Sequence, residues 1–386
     1  MKSNYKRLGD YIREVKVRNK ELKAKKLLGI NIDKFFMPSV ANVIGTDMSV
    51  YKIVKSNQFA CNRMHVGRDK RLPVALSKME DDFIVSPAYD VFEIVDSSIL
   101  LAEYLMMWFT RKEFDRNSWF YTDADVRGGL AWKAFIDMKL PIPTIEKQKE
   151  IVKEYHILLN RIVLNNQLIA KLEETAQAIF NSYLGSNEDI ESHRLGNLIE
   201  IKGGFSYNSG DLGKGKTYLL GMGCVSFLDR FVEEGMRLYS NNVPEQHLVN
   251  PKDIIIATRQ QSENLPILGC PAMIPPNLEE KKLVIASNLY RVVNKSNLSN
   301  EIIYQILKSK HYQEHIKLHT KGTTVGMITK DAIEDYIFDA PSLSLLCIVQ
   351  KNINLIIDNV FLKRTENQKL TELKDLLLSK LATIEN

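Results

Sequence analysis

The sequence predicts an α+β protein built twice over. Two mixed, strand-rich heads are each followed by a long helix, and the two helices pair as an antiparallel coiled coil within a pseudo-twofold internal repeat. Three observations carry this expectation. Arg7-Leu8-Gly9-Asp10 returns 187 positions later as Arg194-Leu195-Gly196-Asn197. Toward the end of each copy the offset is 198, which aligns Phe114 with Tyr312, Ala134 with Ala332, Asp137 with Asp335 and Pro143 with Pro341. After each aligned proline the apolar residues fall into steps of four and three. A repeat of about 190 residues is too long for a solenoid unit, so each copy is a domain plus a helix. The boundaries read as a first head over 1–143, a first helix over 144–185, a second head over 186–341 and a second helix over 342–386.

A chain of 386 residues is long enough for two or three domains with separate cores. Charged residues at 26% and hydrophobic residues at 45% are globular values and exclude wholesale disorder. The net charge of +5 is unevenly placed. Arg13, Lys16, Arg18, Lys20, Lys23, Lys25 and Lys26 stand within one stretch against Glu14 and Glu21 alone, a run that suits a solvated face or a polyanion contact. Cys61, Cys224, Cys270 and Cys347 lie far apart, which argues against a disulfide framework or zinc knuckle and for reduced, mostly buried thiols. Met1–Asp10 has no apolar signal region, and Tyr104–Phe109 is far short of the roughly 20 residues that span a bilayer. The expectation is a cytoplasmic protein with no membrane partner.

Each head reads as short strands with helical stretches near its end. Tyr51–Val54, Phe83–Val85 and Tyr89–Val95 are β-branched and aromatic runs in the first; Leu198–Ile201, Tyr218–Leu220, Asp253–Thr258 and Leu289–Val293 play that part in the second. Helical stretches fall at Leu100–Phe114 and Asn300–Leu318, each followed by a polar glycine loop, Tyr121–Gly129 and Thr320–Gly326. Such loops carry recognition when a rigid scaffold holds them. Arg63, His65, Arg68 and Arg127 in the first head, and Arg259, Gln260, Gln261 and Thr323 in the second, have the guanidinium, imidazole, amide and hydroxyl groups that read base edges. Lys16, Arg18, Lys20, Lys23, Lys70, Arg71, Lys202, Lys308, Lys317 and Lys321 are the candidate phosphate contacts.

The first helix has no glycine or proline from Ile145 to Leu184, and Gly185 stops it. Ile151, Tyr155, Leu158, Ile162, Asn165, Ile169, Leu172, Ala176, Ile179 and Tyr183 form a sustained 3.5-residue seam. The second carries Val349, Ile353, Ile356 and Val360, breaks at Lys363, and resumes at Leu370, Leu373, Leu377 and Leu381. Lys363 matches Asn165 at the offset of 198, so both helices should place a polar residue at one level. Helices of about 38 residues are roughly 57 Å long, too long to cover one head alone. An antiparallel pair would act as a ruler, with half-sites about 34–36 Å apart.

Several motifs hint at chemistry and fail on context. Gly210–Thr217 matches the GxxxxGK[ST] phosphate loop, but the following Tyr218-Leu219-Leu220-Gly221 reads as strand, not as the helix that such a loop requires. Ser86-Pro87-Ala88-Tyr89 lacks the second proline of an amino-methyltransferase tetrapeptide, and Glu200-Ile201-Lys202 lacks the Pro-Asp of a nuclease site. His311, His315 and His319 share one helical face, yet the lysines among them favour a phosphate-facing surface over a metal. No nucleophile and base can be paired by spacing. The chain reads as a binder without catalytic residues, metal or cofactor.

Two tandem modules with the shared Arg-Leu-Gly opening, a Thr/Gly-containing loop, a proline step and a Gln-bearing helix resemble the specificity subunits of type I restriction-modification systems. Trp132–Lys149, with Gln148, is similar to the family's proline step and helix start, and Lys202–Phe205 is similar to its glycine-aromatic opening. Thr329–Gln350 departs from that pattern, with Ala340 for the first proline and Leu346 where a glutamine is expected. The resemblance implies a target recognition domain in each repeat, each reading half of a bipartite, asymmetric site in double-stranded DNA. It also implies two modification subunits that carry S-adenosylmethionine and methylate adenine, and restriction subunits that use ATP and Mg, with none of those activities on this chain.

Overall fold

A computed structural model describes residues 5–40, 45–122, 128–185, 190–228, 230–260, 267–322 and 325–384, and at residues 260, 344 and 345 the backbone alone. The first copy contains helices α1 (Val66–Asp69), α2 (Ala102–Thr110), α3 (Lys112–Phe120), α4 (Trp132–Asp137) and the long α5 (Ile145–Leu184); the second contains α6 (Asn300–Lys308), α7 (Lys310–Leu318), α8 (Lys330–Glu334) and the long α9 (Leu343–Lys380). The fold is α+β. Two compact units form, one from Met1–Ile162 with Lys369–Asn386 and the other from Val163–Gln368. Each long helix contributes to both.

Within the first unit, strands Ile12–Val15, Asp90–Ile94, Phe59–Cys61 and Val74–Leu76 make an antiparallel sheet in that order. Successive side chains of a strand point to opposite faces, and here both faces are covered. Phe59 and Cys61 enter a core with α2, α3 and α4, whereas Ala60 enters a smaller core with Leu28, Val54, Phe83 and Val85. Phe59 stacks on Phe92 at 5.0 Å between ring centres, and Phe109 closes on both edge-on.

The second unit repeats this plan with strands Ile199–Gly203, Leu289–Asn294, Ile254–Ala257 and Pro271–Met273. Ile254 and Ile256 face the helical core, and Ile255 and Ala257 the other. The second copy has a further sheet, in the order Arg237–Tyr239, Leu212–Leu220, Lys282–Ile285, Leu248–Val249, with one parallel pairing. Among the described residues the first unit has two two-stranded pairs in that region, linked by an isolated parallel bridge between Leu27 and Ile84.

The recurring Arg-Leu-Gly opening has a physical basis in each unit. Arg7 pairs with Asp137 at 2.6 Å and Arg194 with Asp335 at 2.5 Å. Leu8 and Leu195 are buried and donate backbone hydrogen bonds to Met138 and Tyr336, both at 2.8 Å. A Cβ at Gly9 would stand 2.9 Å from Ile136 Cβ, and one at Gly196 3.0 Å from the Glu334 carbonyl oxygen. The opening therefore clamps the short helix that precedes the proline step.

The long helices meet within each unit. In the second, Asn165 Nδ2 donates to Asn367 Oδ1 at 2.9 Å, Glu173 accepts from Arg364 at 2.9 Å, and Ala176 and Phe180 share a core with Ile353, Ile357 and Phe361. Numbers rise along α5 as they fall along α9, so the segments run antiparallel there. In the first, Ile151 and Val152 share a core with Leu378 and Leu381. The polar partner of Asn165 is thus Asn367, while Lys363 pairs with Glu366 along its own helix at 2.7 Å. Of the seam residues read from sequence, Ile151, Asn165, Ile353 and Val360 are buried and Leu158, Ile162, Leu172, Ile179, Ile356, Leu370 and Leu377 half-buried. Leu373 is a correction, being 52% exposed. A straight helix drifts about 20° per heptad from a 3.5-residue line, so burial moves to Ile357, Phe361 and Leu378.

Gln148 explains why α5 starts where it does. It is fully buried; its Oε1 accepts from Leu101 N at 2.9 Å, and its Nε2 donates to the carbonyls of Ile99 at 2.8 Å and Pro143 at 2.9 Å. The second copy has Leu346 at the aligned position, yet Gln350 Oε1 accepts from Ser299 N at 3.1 Å. Ser299 is the aligned counterpart of Leu101, so one turn further along the helix a glutamine satisfies the same N–H. Replacing Gln148→Leu strands that buried N–H and should cost about 1–3 kcal/mol. Urea unfolding measures this, and an unchanged midpoint would refute the role.

Candidate nucleic-acid interface

In each head an inner sheet strand runs out toward a candidate base-reading loop, and one backbone bond common to both copies ties the start of that loop to the end of the glycine loop. Leu130 N donates to the Arg63 carbonyl at 2.9 Å, and Ile328 N donates to the Thr258 carbonyl at 3.1 Å. The donors lie 198 positions apart, so the same clasp is built in both copies. It joins the described ends of the two polar loops beside the sheet.

In the first head the clasp is reinforced by α1. Gly67 N donates to the Gly128 carbonyl at 2.7 Å, and a Cβ at Gly67 would lie 2.7 Å from Gly128 Cα, so only glycine permits the approach. Arg68 is exposed, and its one ion pair is with the adjacent Asp69. Lys70 adopts a left-handed conformation (φ 53°) and lies 4.9 Å from the Trp119 ring centre. His65 is half-buried ahead of the helix. Arg71 pairs with Asp33 at 2.8 Å, Lys16 with Glu14 at 3.0 Å and Lys23 with Glu21 at 2.5 Å; Arg18 and Lys20 are exposed.

Arg63 is a correction. Its Nε binds Asp90 at 2.6 Å, its Nη1 donates to the Leu130 carbonyl, and its guanidinium lies 5.4 Å from the Trp132 ring centre. The fork is committed to holding the clasp and is not free to read a base. Sequence reasoning missed this because Asp90 and Trp132 are distant in the chain.

In the second head Arg259–Gln260 pairs with Gly326–Met327, and Lys321 and Met327 exchange both backbone hydrogen bonds, at 2.9 and 2.8 Å. Arg259, Lys202, Lys317 and Lys321 are exposed, with Lys202 3.8 Å from Glu200. Arg127, Gln261, Thr323 and the side chain of Gln260 lie outside the described residues.

Lys308 is a further correction. Its side chain is 7% exposed, 3.5 Å from Glu173 and 5.2 Å from the Tyr304 ring centre. Burial pushes its pKa down, against the pull of Glu173. The two oxygens of Glu173 serve Lys308 and Arg364, so this lysine joins α6 to the long helices and cannot reach a phosphate. The histidine face is likewise occupied: His315 Nε2 lies 2.7 Å from the Ala332 carbonyl, and His319 Nδ1 lies 2.8 Å from that of His315. Among the described residues no cluster of three or more His, Cys, Asp or Glu side chains is placed to hold a metal, and no helix is long and apolar enough to cross a membrane. Cys61, Cys224 and Cys270 are buried, and burial raises the Cys224 thiol to about 11.

A family model described as the type I restriction modification DNA specificity domain matches residues 187–375. The type I restriction enzyme HindI specificity subunit of Haemophilus influenzae is 21% identical over 426 residues, spanning 90% of this chain and 91% of its own length. The second half of the chain thus matches the DNA specificity domain of type I restriction-modification systems, and nearly the whole chain is similar to a type I specificity subunit. Type I specificity subunits are non-catalytic DNA-recognition subunits. Its fold is similar to that in the crystal structure of a type I restriction-modification S subunit from M. genitalium, with a TM-score of 0.57 and 15% identity over 99% of this chain and 96% of that one.

The clasp separates two kinds of arginine. Arg63→Ala should leave Asp90 buried beside an open ring face and cost about 1–3 kcal/mol of stability, whereas Arg68→Ala should leave the unfolding midpoint in place. Parallel thermal melts decide it, and equal melting of the two variants would reject the distinction.

Proposed function

We propose that each head of this specificity subunit reads one half of a bipartite, asymmetric DNA site and so directs adenine methylation or cleavage by partner subunits. The observation that carries this reading is the shared clasp presenting unlike side chains. The same backbone clasp lies beside His65 and Arg68 in one head and beside Arg259 in the other, and the sequence adds Arg127 to the first set and Gln260, Gln261 and Thr323 to the second. Heads that share a scaffold but differ in donors and acceptors suit two different half-sites.

Two modification subunits supply the S-adenosylmethionine chemistry, and restriction subunits, where present, supply the ATP- and Mg-dependent steps. Docking of the modification subunits along the long helices is supported by apolar residues that burial leaves over. Ile157 and Leu355 are 58% and 63% exposed, and Leu164 and Leu362 are 58% and 62% exposed. Each pair is separated by the repeat offset of 198. The same exposed side chains at the same two repeat positions fit two copies of one partner.

Methylome sequencing of cells with and without this chain tests the reading directly. Exchanging residues 1–143 for the first head of another family member should change one half-site and preserve the other; changes spread over both halves would defeat independent reading. Removing one heptad from both long helices should shorten the spacer and leave both half-sites intact. A spacer of unaltered length would rule out the ruler.

A further inference from the structure

The GxxxxGK[ST] match at Gly210–Thr217 is the one motif that the recognition role leaves unexplained. Its shape in the second head gives it a use. Leu212 and Thr217 both pair with Tyr239, so the four residues Gly213–Lys216 stand between two pairings to a single partner residue. Gly213 and Gly215 have φ of +83° and +95°, and a Cβ at Gly215 would lie 2.2 Å from the Tyr239 carbonyl oxygen. Glycine is therefore required to fold the segment back against the neighbouring strand. The two lysines beside those glycines, Lys214 and Lys216, are exposed, and neither has an ion-pair partner among the described residues. Asp211 beside them is engaged by Asn241 Nδ2 at 3.3 Å. The strand runs on to Leu220, whereas a nucleotide site would have a helix begin directly after the loop.

The first head places its own cations in the same topological slot. Between its first sheet strand, Ile12–Val15, and the next strand, Leu28–Ile30, lie Lys16, Arg18, Lys20, Lys23, Lys25 and Lys26. Asn19 shapes that connection: it is buried, its Nδ2 donates to the Ala24 carbonyl at 2.8 Å, and its Oδ1 accepts from Ala24 N at 3.2 Å. In the second head the slot after Ile199–Gly203 leads into the glycine bulge. The two connections share neither sequence nor local shape, only position and charge. The bases of two half-sites differ, but their phosphodiester backbones are the same. A feature that keeps its position and sign while its sequence changes fits the ligand that does not vary.

We propose that Gly213–Lys216 is a phosphodiester grip of the second head, with Lys214 and Lys216 as its cations, and that it is the counterpart of the Lys16–Lys26 connection. The proposal rests on the DNA-reading role argued above. It assigns these lysines to backbone contact, which adds affinity in any sequence context and carries no base preference.

The test uses the full chain, alone and with a modification subunit, titrated with a random-sequence duplex across a salt series. The unsubstituted chain should lose affinity steeply as salt rises. Lys214→Ala with Lys216→Ala should reduce the log–log salt slope by about 1.8, at about 0.9 for each phosphate no longer neutralised, without changing the methylated sequence. The arginine pair, Lys214→Arg with Lys216→Arg, should keep the slope. Gly215→Ala, which retains both charges but disturbs the bulge, should weaken binding. An unaltered slope in a folded alanine variant, with steep salt dependence retained by the parent, overturns the grip and leaves the DNA reading standing. A parent chain whose binding ignores salt in both settings overturns the DNA reading itself. Saturable ATP binding that Lys216→Ala abolishes would make the bulge a nucleotide site and end this proposal.

Discussion

Each copy depends on one short antiparallel ladder that ties its first residues to the step before its long helix. Tyr5–Arg7 pairs with Lys139–Pro141, and Ile190–Arg194 pairs with Ile337–Pro341. The ladder brings the arginine of the opening to the aspartate that ends the short helix, and it delivers the chain to the buried glutamine that starts the long one. The glutamine in turn satisfies the backbone at the start of α2 or α6, which lies against the inner sheet strands. Those strands emit the recognition loops. The closing ladder therefore fixes the loops through a sequence of buried, directional contacts, and each link is local enough to be built independently in both copies.

Charge divides the cations into two populations. Taking an ammonium or guanidinium out of water costs several kcal/mol unless a partner is fixed beside it, and the chain meets that condition at a few positions. Lys34 is buried against Asp115 at 2.7 Å, Lys308 against Glu173, and Arg63 against Asp90. These join elements and are withdrawn from any ligand. Arg68, Arg259, Lys317 and Lys321 stay in water, where a pair is worth little to stability and a passing anion can be met. Removing three paired cations together with their carboxylates leaves the net charge of +5 unchanged, so the surplus lies with the exposed population.

What the sequence disclosed follows from how each feature is encoded. The tandem repeat, the long helices and the strand-rich heads were legible because each rests on local periodicity or on an offset that one line of sequence displays. The helix seam was legible in its apolar character but not in its register, since Leu373 and Leu378 differ by a rotation that only packing decides. Arg63 and Lys308 look available in sequence because their partners lie far along the chain: Asp90 and Leu130 for one, Glu173 for the other. The burial of Lys34 is hidden for the same reason. The glutamine shows the opposite case. Leu346 looks like a departure from the family's pattern, yet Gln350 reaches the same N–H from the next turn, so the interaction survives where the alignment column does not.

That case bears on how the heads diverge. Selection on a recognition subunit acts on what the loops present, while the scaffold must keep satisfying its buried groups. A buried N–H can be met from either of two adjacent helical turns, as Gln148 and Gln350 show, because side chains four apart share a face. The bond that both clasps share is a backbone one, and in the first head Gly67 and the Arg63 side chain reinforce it. Gly67 requires glycine, whereas the second head joins the same two loops by pairing Arg259–Gln260 with Gly326–Met327. The frame that positions the readers is therefore written mostly in main-chain hydrogen bonds and in interchangeable buried amides. Exposed side chains on the loops can change without disturbing the frame, so the two heads can diverge there while retaining one architecture.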